Sequence, residues 1–117
     1  MSKKEETKFG EWIDHDLRKL FGQDIWIENI QQVGKRGTPD RLICLKGHFV
    51  AIELKTDTGI IEPLQVRKLL KINKAGGLGV VVSPTNWSIV REILIKLTEK
   101  DVHTTGKKTK NVGPEPL

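Results

Sequence analysis

Apolar residues recur along the chain at helical spacing in three segments and in strand-like runs in four others. The spacing predicts helices over residues 7–21 and 63–74, strands over residues 25–30, 41–45, 48–55 and 78–83, and a last helix that extends to Leu97. The apolar stripe of the first helix consists of Phe9, Ile13, Leu17 and Leu20. The predicted order is αβββαβα, which indicates an α/β fold with a mixed sheet flanked by helices.

The ends of the later elements are marked by residues with strong local preferences. Pro63 suits the first position of a helix, and the Ala-Gly-Gly run of residues 75–77 ends that helix. Either Thr85 or Asn86 is expected to cap the last helix. The run of residues 78–83 is short and continuously apolar, which is typical of a buried parallel strand.

The connection between the second and third strands predicts how these strands pair. Lys46 and Gly47 form a two-residue turn, so Leu45 is expected to pair with His48 in a hairpin. The same register places Asp40 opposite Glu53, with Cβ atoms ~4.5–5.5 Å apart on one face. Lys55 follows Glu53 by two residues and therefore shares that face.

Two carboxylates and an ammonium group on one face suit the hydrolysis of a phosphodiester. Mg²⁺ prefers oxygen ligands and keeps several waters, so Asp40 and Glu53 are candidate ligands, with the Leu54 carbonyl as a third. A bound cation would stabilise charge on the phosphate and lower the pKa of a water. Lys55 would orient that water or help to deprotonate it. The combination predicts a metal-dependent nuclease.

A simpler interpretation is that Glu53 and Lys55 form the polar face of an amphipathic strand, because Glu-x-Lys is common by chance. The tripeptide recurs at residues 6–8. Apolar residues nevertheless occupy both faces of the strand, so burial on both faces is expected and unpaired charges there are costly. These residues are Phe49, Val50, Ala51, Ile52 and Leu54. Their presence favours the catalytic interpretation.

The chain resembles the PD-(D/E)xK nucleases, and more narrowly the small stand-alone VRR-NUC domains that are common in phages. The matching text is Gly37-Thr38-Pro39-Asp40, Gly47 to Lys55, Gln65 and Ala75-Gly76-Gly77. The resemblance implies a restriction-endonuclease-like core and Mg²⁺- or Mn²⁺-dependent cleavage of DNA. It implies that Asp40, Glu53 and Lys55 are catalytic and that Gln65 supports the site from a helix. It also implies a homodimer that acts on branched DNA. Val66-Arg67-Lys68 stands where the family has Val-Arg-Arg.

Related nucleases often place a glutamate of the first helix near the metal, and helical periodicity selects Glu6 for this position. At ~100° per residue, the apolar stripe lies within about 60° of Glu6, whereas Glu11 lies about 140° from Glu6. Glu6 is therefore expected to extend the buried face toward the sheet, and Glu11 to point to solvent. The alternative is that Glu6 only complements the helix dipole in the first turn.

Length and charge agree with a small nucleic-acid enzyme. The chain has 117 residues, for which we expect one domain over residues 1–100 and a disordered polar tail over residues 101–117. Its net charge of +5 favours a polyanionic partner such as DNA, although RNA-binding proteins share that balance. The single cysteine, Cys44, excludes an intrachain disulfide, and no apolar run is long enough to span a bilayer. A cytoplasmic location is the default expectation, in the host if the protein is phage-encoded.

Two groups of basic residues are candidates for contacts to DNA. One group lies beside Asp40 and consists of Lys35, Arg36 and Arg41. The other forms one stripe of the helix over residues 63–74 and consists of Arg67, Lys71 and Lys74. An ordinary solvated helix face is the alternative for the second group.

The remaining signals leave two other functions open. Trp12, Trp26 and Trp87 are expected in the core or at its edge, with Trp26 as a further candidate for a DNA contact. The three histidines lack the spacing of zinc ligands. The alternatives to a DNA endonuclease are a nucleic-acid-binding module without activity on the same fold and a nuclease that acts on RNA.

Overall fold

The computed structural model describes residues 3–30 and 37–100. The helices are α1 (Lys3–Phe21), α2 (Pro63–Lys74) and α3 (Trp87–Thr98), and the strands are β1 (Ile25–Asn29), β2 (Arg41–Leu45), β3 (His48–Leu54) and β4 (Leu78–Val82). A short 3-10 helix, Gly22–Asp24, joins α1 to β1. The expected mixed α/β fold is confirmed, although α1 begins four residues earlier than the pattern predicts. The tail expected over residues 101–117 lies outside the described residues.

The four strands form one mixed sheet in the order β1-β2-β3-β4. β1, β2 and β3 pair antiparallel, and β4 pairs parallel to β3. β4 is therefore an edge strand of this sheet, whereas its apolar run predicts a buried position. Its outer edge is covered by Asn73 of α2, whose Oδ1 accepts the Gly79 N–H at 2.8 Å and whose Nδ2 donates to the Gly79 carbonyl at 3.2 Å.

The predicted register of the β2–β3 hairpin is confirmed, with Leu45 paired to His48 and Arg41 paired to Ile52. Lys46 and Gly47 have φ angles of 51° and 89°. Two successive residues with positive φ are typical of the tight turn that matches the twist of a hairpin. The turn therefore brings the residues before β2 beside the end of β3.

Helices pack on both faces of the sheet. The main core lies on the face shared by Ile43, Val50 and Ile52, where Ile13 and Leu17 of α1 and Trp87, Val90 and Leu94 of α3 are buried. α2 packs on the opposite face, where a Cβ atom added to Gly79 would lie 2.9 Å from the Leu69 carbonyl oxygen. This close approach needs a glycine and holds the middle of α2 against β4.

Three expectations about local environment differ from the structure. Trp87 is buried, but Trp12 and Trp26 are 53% and 67% exposed. Phe49 is 47% exposed, so β3 is not buried on both faces over its full length. Asn86 occupies the N-cap position of α3 without capping it, because its side chain accepts the Ser83 N–H and donates to the Val81 carbonyl.

Among the described residues, no helix combines the length and the apolar character needed to cross a membrane.

Candidate active site

The candidate site lies where the start of β2, the end of β3 and the first turn of α2 meet. The loop before β2 approaches α2 at Gly37, which has a φ of +81°. A Cβ atom at Gly37 would lie 2.8 Å from Leu64 Cγ, so both the backbone conformation and the packing require glycine. This contact fixes the loop that carries Asp40.

The two expected metal-binding carboxylates lie on the same face, as the hairpin register predicts. Asp40 directly precedes Arg41, whose partner Ile52 directly precedes Glu53. Asp40 Oδ2 accepts the backbone N–H of Leu54 at 2.8 Å. The N–H and C=O of one strand residue point to the same side, so the Leu54 carbonyl faces the Asp40 side as well.

Gln65 holds the Glu53 carboxylate from α2. Its Nε2 donates to Glu53 Oε2 at 2.5 Å, and its Oε1 accepts the backbone N–H of Glu62 at 3.1 Å. Glu62 and Gln65 form a reciprocal capping box at the start of α2. Because the amide oxygen is engaged by a backbone donor, the amide nitrogen must face Glu53.

Lys55 brings the positive charge that the sequence predicts. Its Nζ lies 3.9 Å from Glu53 Oε2, and its side chain is 22% exposed. The Lys55 backbone N–H donates to the Val82 carbonyl of β4 at 2.9 Å. The ammonium group is therefore positioned by the sheet and still accessible to a substrate.

The electrostatic state of Glu53 is unusual for a glutamate. Its side chain is 4% exposed, and Oε1 is buried without a hydrogen-bond partner. Burial, and next the charge of Asp40, raise the pKa of Glu53 to about 8, whereas Lys55 opposes the increase. A buried carboxylate with one unsatisfied oxygen is expensive unless a cation or a proton compensates it.

Glu6 approaches the same site from α1. Glu6 is half-buried, whereas Glu11 is exposed, as the helical periodicity predicts. The negative charge of Glu6 contributes to the raised pKa of Glu53, which places the two carboxylates within electrostatic reach.

The expected DNA-binding residues divide into three groups. Lys35 and Arg36 lie outside the described residues. Arg67, Lys71 and Lys74 are exposed on α2, as expected, but Arg67 is about 200° around the helix from Gln65 and points away from the carboxylates.

Arg41 does not have the exposure that a DNA contact needs. It is only 9% exposed, its Nε donates to Asp14 Oδ1 of α1 at 2.9 Å, and its Nη1 donates to the Asp40 carbonyl at 3.3 Å. The buried ion pair joins α1 to β2 and supports the backbone of Asp40. Arg41 therefore has a structural place behind the site rather than the expected contact with phosphate.

Sequence reasoning missed the residues that hold Arg41. Asp14 is 5% exposed on α1. A Cβ atom at Gly10 would lie 2.6 Å from Arg41 Nη2 and 2.8 Å from Leu54 Cδ1. The available signal was an aspartate at the edge of the apolar stripe, three residues before Leu17, with a glycine one turn earlier.

The site offers two carboxylates and one backbone carbonyl to a cation. Within residues 3–30 and 37–100, no group of three or more His, Cys, Asp or Glu side chains is arranged to hold a metal ion. Mg²⁺ commonly uses only one or two protein carboxylates together with waters and substrate phosphates. The donors present fit that mode, and the unpartnered Oε1 of Glu53 is available to it.

No family model, curated protein or solved structure gave a significant match in the comparisons with known proteins.

Proposed function

We propose that this protein is a metal-dependent endonuclease with a restriction-endonuclease-like core of the PD-(D/E)xK type. The observation that carries the proposal is the buried Glu53 carboxylate, which has an unpartnered oxygen and lies on one face with Asp40 and Lys55. A binding module without activity gains nothing from a buried carboxylate whose pKa is raised to about 8. The charge cluster therefore favours catalysis.

The carboxylates of Asp40 and Glu53 and the carbonyl of Leu54 would hold Mg²⁺ or Mn²⁺. When bound, the cation would polarise the phosphate and lower the pKa of a water. Asp40 is kept in orientation by the Leu54 N–H, and Glu53 by the Gln65 amide. Both carboxylates are thereby held before a substrate arrives, which lowers the cost of reaching the reactive arrangement.

Lys55 would orient or help to deprotonate the attacking water, and would stabilise negative charge on the phosphate. Its ammonium lies beside Glu53 and is partly exposed, so it can reach an attacking water or a phosphate oxygen. Gln65 is a positioning residue, because it acts through Glu53. Glu6 adds a third negative charge at the edge of the site and would strengthen the attraction for a cation.

We assign DNA as the substrate, with a preference for branched structures such as flaps or four-way junctions. A net charge of +5 supports a polyanionic substrate. A small core suits recognition of DNA shape better than readout of a long base sequence. Cleavage of both strands of a junction would require two sites, which is consistent with a homodimer.

A cleavage panel tests the proposal. Duplex, flap, splayed-arm and four-way DNA are incubated with Mg²⁺, Mn²⁺ or EDTA, and an RNA strand is included as a separate substrate. We expect cleavage only with a divalent cation, and loss of cleavage in Asp40→Asn and Glu53→Gln. Glu11→Gln, at an exposed position of α1, is the matched control. Wild-type rates in either purified and folded site variant would overturn the assignment.

A further inference from the structure

The sheet face that carries Asp40 and Glu53 also carries a row of exposed side chains. Trp26 pairs with Cys44, and Cys44 pairs with Phe49, so these three side chains form one row across β1, β2 and β3. Trp26 is 67% exposed and Phe49 is 47% exposed. With Leu42 they line a shallow depression on this face. Two large aromatic side chains are thus presented to solvent beside the candidate site.

The row is open because α2 covers only the other half of this face. α2 contacts β4 through Leu69 at Gly79 and reaches the end of β3 through Gln65. Within the described structure, no helix lies over the half of the face formed by β1 and β2. Ala51 and Glu53 of β3 are buried, so the open area lies over β1 and β2, reaches Phe49 at the start of β3, and is bordered at its other end by the half-buried Asp40.

The flank of α2 that borders this open area is basic. Leu64 packs against Gly37 before β2, and Asn73 contacts Gly79 at the outer edge of β4, so these two residues mark opposite flanks of the helix. Lys68 and Lys71 follow Leu64 by four and seven residues and lie on its flank. We call the floor of Trp26, Leu42, Cys44 and Phe49, together with the wall of Lys68 and Lys71, the stacking groove.

We propose that the stacking groove binds an unpaired DNA strand next to the phosphodiester that is cleaved. The proposal rests on the proposed function, since catalysis places the scissile phosphate at Asp40 and Glu53. Bases would stack on Trp26 and Phe49, and the two lysines of the wall would contact the phosphates. Glu28 lies at the far corner of the depression, so the backbone runs along the lysine side.

The dimensions of the sheet agree with a strand that continues from the site into the groove. Cys44, which pairs with Phe49, and Asp40 are four residues apart along β2 and the residue before it, which corresponds to ~13 Å at ~3.3 Å per residue. That length accommodates about four stacked nucleotides at ~3.4 Å each. A fully paired duplex presents phosphates rather than base faces to such a surface, so stacking selects DNA with a single-stranded segment.

Binding without metal separates this inference from catalysis. Fluorescence anisotropy in EDTA is measured with one labelled strand, alone and as a blunt duplex, for the wild type and for Trp26→Ala. We expect Trp26→Ala to weaken single-strand binding about five- to a hundredfold and duplex binding less than twofold. Trp26→Phe should retain most of the affinity, because it keeps an aromatic ring. Trp12→Ala removes a similarly exposed tryptophan from α1 and should change neither affinity.

Each result decides between the two proposals. Unchanged single-strand affinity in Trp26→Ala, or equal losses for strand and duplex, would overturn the stacking groove. A change of oligomeric state in Trp26→Ala at unchanged affinity would show that the row is an interface between copies of the chain, which also overturns it. Trp26-dependent strand binding without any cleavage in Mg²⁺ would support the groove and overturn the nuclease instead.

Discussion

Glu53 combines two opposite requirements in one side chain. A cation site needs its carboxylate ionised, whereas burial and the nearby Asp40 favour its protonated form and raise its pKa to about 8. The apo protein therefore carries a group whose charge is better tolerated after unfolding. A strained ionisable group of this kind is typical of functional sites.

The first prediction is that Glu53→Gln abolishes cleavage and stabilises the apo protein toward alkaline pH. The pKa of Glu53 rises from 4.5 to about 8 on folding, so the folded state binds the proton more tightly. The contribution of Glu53 to the free energy of unfolding is fully present below pH 4.5. It is lost between pH 4.5 and about 8, by at most ~1.4 kcal/mol per pH unit. Glutamine has no such titration, so the variant should gain relative stability through this window. Urea unfolding in EDTA from pH 5 to 9 measures the difference.

The same unfolding series with Mg²⁺ gives the control. A cation that binds the folded state stabilises the wild type by mass action and should affect Glu53→Gln much less. Parallel pH curves for the two proteins in EDTA would contradict the raised pKa. Equal stabilisation of both by Mg²⁺ would contradict the metal site.

The second prediction concerns Lys55, whose ammonium is partly exposed and lies 3.9 Å from Glu53 Oε2. If Lys55 helps to deprotonate the water or stabilises the negative charge of the transition state at the phosphate, Lys55→Ala should lower the single-turnover rate by a factor on the order of 10²–10⁴. The loss of DNA affinity should be smaller. Lys19→Ala, on the exposed surface of α1, is the control. Normal single-turnover cleavage at saturating DNA would make Lys55 a phosphate contact only.

At the scale of elements, the rotation of α1 decides which acidic residue reaches the site. Glu6 is half-buried and its charge acts on Glu53, whereas Glu11 is exposed. The third prediction is that Glu6→Gln slows Mg²⁺-dependent cleavage at least about tenfold, which is ~1.4 kcal/mol in the barrier, while Glu11→Gln is nearly silent. Steady-state cleavage of one DNA substrate compares the two variants. The reverse order of effects would contradict this orientation of α1.

The packing of α1 against the sheet depends on Gly10, although alanine is the better helix former. Alanine is favoured over glycine in a helix by roughly 1 kcal/mol. At Gly10, however, a Cβ atom would lie 2.6 Å from Arg41 Nη2 and 2.8 Å from Leu54 Cδ1. Arg41 cannot simply move, because Asp14 holds its guanidinium at 2.9 Å in a buried pair.

The fourth prediction is that Gly10→Ala destabilises the protein by up to about 2 kcal/mol, because an overpacking cost of about 1–3 kcal/mol is only partly offset by the helix-propensity gain of roughly 1 kcal/mol. It should also slow cleavage, because Arg41 supports the backbone of Asp40. Urea unfolding measures the first effect, and the cleavage assay measures the second. Lys19→Ala should change stability by less than about 0.5 kcal/mol. A more stable Gly10→Ala protein would show that α1 and β2 separate at little cost.

At the scale of the whole molecule, the described part of one chain presents one candidate site. Symmetric cleavage of a branched substrate needs two sites related by a twofold axis. The fifth prediction is therefore a homodimer at micromolar concentration, measured by analytical sedimentation with and without four-way DNA. A monomer under both conditions would contradict the prediction and would favour cleavage of one strand at a time.

Sedimentation also shows whether Trp26 of the stacking groove lies in a dimer interface. If Trp26 binds bases, Trp26→Ala should leave the sedimentation coefficient of the free protein unchanged. The same surface would then be available in both copies of a dimer.

Local signals in the sequence were sufficient for the hairpin and the cluster on it. Lys46-Gly47 specifies a two-residue turn, and the period of two in a strand then places Asp40, Glu53 and Lys55 on one face. Pro63 and Gln65 mark the start of α2 in the same way. These features follow from residues close together in the chain, where backbone preference and side-chain period decide the outcome.

Contacts between distant segments required the tertiary structure. The sequence did not show that Arg41 would be buried against Asp14, that Trp26 and Phe49 would be exposed, or that Asn73 would cover an edge strand. Each depends on which face of the sheet a helix covers and how closely it approaches. Apolar periodicity specifies that a face is buried but not which element buries it, because the hydrophobic effect is non-directional. The sequence alone therefore determined the elements and the cluster of Asp40, Glu53 and Lys55, and helix packing decided which neighbouring groups are buried and which remain exposed to solvent.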